Sequence, residues 1–224
     1  MKMMRKSWIC LVFILLSTPI ISSQDLSRYR KFSLGTSLAA LSKQIGQDPH
    51  RANLIQQRPA VIQELTYWPV DTPYSSVQVQ PVSRILFSFY NGELYRMVVS
   101  YEQDAIQGLT EDDMVRAISA RYGTATRFYP EINFPTNDVY ASAETVIARW
   151  ADSGSSIDLF HSSTLNSFGL AVFSKRMDLQ AEAAIAESLK LNKQEAPQKE
   201  IDRRNSEADE MEAVRQKNIK TFRP

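Results

Sequence analysis

The stretch Ile85-Leu86-Phe87-Ser88-Phe89-Tyr90-Asn91-Gly92-Glu93-Leu94-Tyr95-Arg96-Met97-Val98-Val99 decides the fold. Two runs rich in β-branched and aromatic residues flank Asn91-Gly92, a pair that supplies both positive-φ positions of a type I′ turn. This predicts an antiparallel hairpin over residues 82–90 and 94–101. With a two-residue turn, Tyr90 faces Glu93, Ser88 faces Tyr95, Leu86 faces Met97 and Arg84 faces Val99 on one side. The other side carries Ile85, Phe87, Phe89, Leu94 and Val98, with Arg96 as the exception, and is the natural core face. The first side, extended by Tyr101, mixes Tyr, Met, Ser, Arg and Glu. Rigid aromatics with a polar tip serve well as anchors for a partner, so Arg84, Tyr90, Tyr95 and Tyr101, with Trp68 nearby, are the candidate binding residues. The competing reading packs these tyrosines beneath the long loops or the C-terminal helix.

Upstream, residues 34–46 place Leu34, Leu38, Leu41 and Ile45 at helical spacing, with Thr36 or Ser37 as cap and Gly46 as stop. Residues 109–123 repeat the plan. Thr110 is the N-cap, Asp113 holds the box position, acids fill the first turn, and Met114, Val115, Ile118 and Tyr122 form the buried stripe. A shift of 77 residues superposes Leu38 on Val115, Leu41 on Ile118 and Gly46 on Gly123. Strand signals follow each helix, at 61–68, 82–90 and 94–101, then at 145–150, 156–161 and 168–174, with Ser153-Gly154 as a second turn. The chain therefore reads as α+β: a tandem repeat of one helix plus a three-stranded antiparallel meander, with the helices on one sheet face. The units span about 29–101 and 106–175. They merge into one globular domain, 24–177, because about 70 residues alone bury little core.

Composition bounds the rest. The 224 residues are 43% hydrophobic and 23% charged, with 26 Lys+Arg against 25 Asp+Glu, so no strong field attracts nucleic acid. Residues 1–23 have the three-part layout of a secretory signal peptide: Lys2, Arg5 and Lys6, then an apolar run, then Pro19, Ser22 and Ser23. The run from Trp8 to Ile21 covers 14 residues, short of the roughly 20 that a retained spanning anchor needs. Cleavage removes the only Cys, Cys10, and turns the net charge from +1 to −2. Export without disulfides suits a bacterial periplasm or exterior. After Met177 the chain turns polar, and residues 178–224 read as a charged helical or disordered tail without a heptad run. The loops 69–81, with Tyr74, and 124–143, with Phe128, Tyr129, Phe134 and Tyr140, are long for a compact domain.

Catalytic and metal patterns are weak. His50 and His161 lack neighbours at ligand spacing, so no metal or cofactor is expected. Asp152 to Asp158 lacks the closing Glu of a calcium loop and reads as a turn. Asp158, His161, Ser162 and Ser163 lie too close along one strand to form a nucleophile–base–orienter chain, because alternate side chains point to opposite faces. No Gly-x-Ser-x-Gly elbow or phosphate loop occurs.

Phe32-Ser33-Leu34-Gly35-Thr36-Ser37-Leu38-Ala39-Ala40-Leu41 resembles the Gly-x-Ser/Thr-x-x-x-Leu/Val opening of the units in the β-lactamase inhibitor protein and in the SmpA/OmlA-type outer-membrane assembly lipoproteins. Leu94 to Tyr101 resembles their third strand, and the likeness covers residues 29–175. It implies use of a sheet face toward a protein partner. A lipidated Cys at the signal end is missing here, so a lipid tether is not implied. The expected function is an exported, non-enzymatic module that binds a protein or a cell-envelope component. The alternatives are a hydrolase or small-ligand-binding protein with its site between the units, and a structural envelope protein.

Overall fold

A two-stranded hairpin, β1 (Arg28–Tyr29) and β2 (Phe32–Ser33), turns beside Arg30, whose φ is +53°. In this computed structural model the described residues are 25–69, 81–127, 131–132, 144–162 and 167–223. The expected signal peptide lies outside them, as do Tyr74, Phe128, Tyr129, Phe134, Tyr140 and Ser163 of the loops. Helix α1 (Leu38–Ile45) is capped by Ser37, whose side chain accepts from the Ala40 N–H, and it ends at Gly46 in the left-handed conformation. Strands β3 (Asn53–Gln56), β4 (Ile62–Tyr67), β5 (Val82–Tyr90) and β6 (Glu93–Tyr101) follow. Asn91 and Gly92 turn the β5–β6 hairpin with φ of 50° and 84°.

Short α2 (Gln103–Ile106) leads to α3 (Glu111–Tyr122), which carries the expected reciprocal Thr110–Asp113 capping box. Strands β7 (Thr126–Arg127), β8 (Glu131–Ile132), β9 (Glu144–Ala151), β10 (Ser155–Ser162) and β11 (Ser167–Ser174) complete the sheet. Helix α4 (Lys175–Thr221) closes the described chain as one 47-residue element.

The fold is α+β, with one large antiparallel sheet in the order β3-β4-β5-β6-β11-β10-β9-β7 and β8 paired beside β9. The two strand runs therefore meet through their last members, β6 and β11. One face is the main core. Phe87, Phe89, Met97, Trp150, Ile157 and Leu159 pack there under Leu41 of α1, Ile106 of α2, and Met114, Val115 and Ile118 of α3. Trp150 Nε1 donates to the Gly123 carbonyl at 2.9 Å and ties β9 to the end of α3.

Two expectations need correction. Helices do not cover one face only, because the first half of α4 packs on the second face against Ala60, Ile62 and Tyr95. The hairpin register also differs. A bulge between Ser88 and Phe89 sets Phe89 opposite Leu94 but Ser88 opposite Arg96. Tyr95 is the extra residue, so Tyr95 and Arg96 both reach the second face, while Met97 and Val99 join the main core and Val98 leaves it. The bulge accounts for Arg96, the one charge that the regular register would have driven into the core.

Candidate functional site

Met177, Asp178, Ala181, Ala184 and Ser188 are the buried residues of α4, and their spacing draws one stripe along the helix. Three of the five are Ala or Ser, which lets the helix axis approach the pleat closely. Arg96 rises from β6 under this stripe. Its Nε donates to Asp178 Oδ1 at 2.7 Å, with Glu182 3.5 Å from the same guanidinium. Burial works against the Arg96 charge, but the hydrogen bond and charge of Asp178 hold it above its ordinary range. Farther along, Gln56 bonds Ser188 and Arg58 bonds Glu195. Glu195 has its carboxyl pulled down to about 2 by the hydrogen bond from Arg58, with Lys199 adding to it.

The five predicted binding residues do not form one open surface. Tyr95 is 5% exposed beneath α4, and burial pushes its phenol up to about 12. Tyr90 is half-buried at the edge of the same cluster, and strand alternation puts Arg84 on that face too. Tyr101 packs on the opposite, core face. Trp68 lies one residue past β4 and is 57% exposed. The expectation of an open tyrosine-bearing sheet face is thus overturned. For Tyr95 the competing reading holds, with the C-terminal helix as its cover, and that helix makes the contact largely through small residues.

Beyond Glu195 the helix leaves the body. Pro197 stands within it and removes the hydrogen bond that its N–H would give the Lys193 carbonyl. Every residue from 201 to 223 is exposed. Met211, Val214, Ile219 and Phe222 nevertheless gather on one side, lining a shallow apolar groove with Arg215 and Asn218. Residues 207–212 carry Glu207, Asp209, Glu210 and Glu212, and residues 215–223 carry Arg215, Lys217, Lys220 and Arg223.

Tyr101 opens onto a different feature. A groove of about 300 Å³ lies between α3, the β1 turn and the ends of β6 and β11. Ile106, Met114, Ile118 and Leu170 form its apolar wall, and Tyr29, Tyr101 and Tyr122 contribute phenols. Tyr29 and Tyr101 act on one another electrostatically, and Tyr122 donates to the Arg28 carbonyl at 3.1 Å. Burial raises all three phenols above their ordinary range. No local pattern signals this convergence, since its residues come from four separate segments.

Asp158 and His161 serve different surroundings. Asp158 is buried and accepts two 2.6 Å hydrogen bonds from Arg149, while His161 lines a cavity beside α2 and stacks edge-on with Phe168 at 5.4 Å. Among the described residues, no cluster of His, Cys, Asp and Glu suits a metal ion, and no helix is long and apolar enough to cross a membrane. No protein-family model, curated protein or solved structure matches the chain.

Proposed function

We propose that the protein is an exported, non-catalytic binding module of a bacterial cell envelope, whose contact element is the projecting end of α4. The observation that carries this is an apolar stripe of Met211, Val214, Ile219 and Phe222 on a helix exposed along its whole circumference. A lone helix gains most of its stability by packing an amphipathic face, and among the described residues this face packs against no other element. Export is read from Lys2, Arg5, Lys6 and the apolar run after them. The sheet body acts as a mount in this reading. Its two strand runs, each headed by a core-face helix (α1 or α3), support a tandem-unit origin like that of the proteins it resembles.

The test is cross-linking in intact cells of the source organism. The full chain is compared with a variant carrying Met211→Glu, Ile219→Glu and Phe222→Glu. A discrete cross-linked partner that disappears with the variant, at equal protein level, supports the reading. An identical cross-linking pattern overturns it.

A further inference from the structure

The groove at Tyr101 is independent of α4 and carries a conclusion of its own. Its walls are apolar, its volume sits at the small end of ligand sites, and it opens to solvent beside Leu109, which is 44% exposed. Among the described residues two cationic side chains, Arg30 and Arg121, line it and no acidic side chain does, the Asp25 carboxylate acting on the Tyr122 phenol from outside the lining. The two converge on one place. The Arg30 guanidinium lies 5.6 Å from the Tyr29 ring centre and the Arg121 guanidinium 5.5 Å from that of Tyr122, and both act electrostatically on the Tyr29 phenol.

Arg30 is held there by its backbone. A φ of +53° is uncommon outside glycine, and here it turns the β1–β2 hairpin so that Arg30 borders the groove. Arg121 is exposed on the last turn of α3. The apolar wall lies deeper, with Ile118 and Met114 one and two helical turns back on the same side of α3.

We infer that this groove binds a small amphipathic carboxylate, its apolar body against Met114, Ile118 and Leu170 and its charged end between Arg30 and Arg121. Arginine suits this role because its planar fork matches a carboxylate and stacks on phenol rings at the same time. A cationic amphiphile meets like charge at the rim. A neutral one fills the walls without engaging it.

The experiment is calorimetric titration of the full-length protein with sodium decanoate below its micelle-forming concentration. Decanol and decyltrimethylammonium are the comparison probes. Saturable one-site decanoate binding that is at least about tenfold stronger than that of either comparison probe is expected. Arg121→Glu is expected to weaken it about tenfold, and Ala117→Trp, at an exposed α3 position lining the groove, to abolish it. Both substitutions are at the surface of α3, and circular dichroism confirms that each variant is folded. Equal binding of the cationic probe, undiminished binding in folded Ala117→Trp, or no saturable decanoate binding overturns the assignment.

Discussion

Arg96 and Asp178 bind across the joint between β6 and α4, with Nε to Oδ1 at 2.7 Å and both side chains at most 10% exposed. This pair fixes the helix on the second face of the sheet at the point where the bulge delivers the guanidinium. Asp178→Ala takes from a buried cation its 2.7 Å hydrogen-bond acceptor, with Glu182 farther away at 3.5 Å, and is expected to cost about 3–5 kcal/mol in urea unfolding. The apolar double variant Arg96→Met with Asp178→Leu is expected to recover most of that loss. A loss under about 1 kcal/mol in the single variant would mean that the pair is not what seats the helix.

Tyr95 predicts an alkaline limit. Its folded value of about 12 lies above the ordinary 10, so the folded state keeps a proton that the unfolded chain releases. The associated stability is fully present below pH 10 and is lost as pH rises toward 12. Two units correspond to about 3 kcal/mol at most. Tyr95→Phe is expected to flatten the urea-midpoint profile between pH 10 and 12, with a residual slope from Tyr101, Tyr29 and Tyr122, whose phenols are also raised.

Gly169 has no room for a side chain. A Cβ there would collide with the Phe160 ring, and Phe160 is a buried neighbour directly across the β10–β11 ladder. Gly169→Ala is expected to destabilise by about 1–3 kcal/mol through overpacking. Combining it with Phe160→Leu is expected to cost less than the two single changes together, measured by thermal unfolding.

Deletion of residues 201–224 removes only exposed positions from the described helix. The melting temperature is expected to change by less than about 2 °C, while helical signal at 222 nm falls. A large fall in melting temperature would mean that the end of α4 packs on the body.

Local chemistry was the legible part. Asn91-Gly92, the Thr110–Asp113 box and the stop at Gly46 each act within a few residues, and each sits where the sequence placed it. The bulge at Ser88/Phe89 was not legible, because the two-residue turn implies a regular register and nothing in Phe89 or Tyr95 announces an extra residue. The docked face of α4 was hidden for another reason. Leu179 and Leu189, the eye-catching apolar side chains, are 67% and 64% exposed, while Ala181, Ala184 and Ser188 make the contact. The groove depends on Tyr29, Tyr101 and Tyr122 meeting from distant segments, which no local pattern records.

Pro197 sits two residues past Glu195, the last α4 residue bonded to the sheet body by an ion pair. The missing backbone bond there weakens the helix at the point where it parts from the sheet body, just past the ion pair that clamps the inner portion. Residues 198–221 then reach roughly 36 Å from that point, several Debye lengths at physiological salt. In the proposed reading, a partner gripped at the tip is electrostatically out of earshot of the sheet.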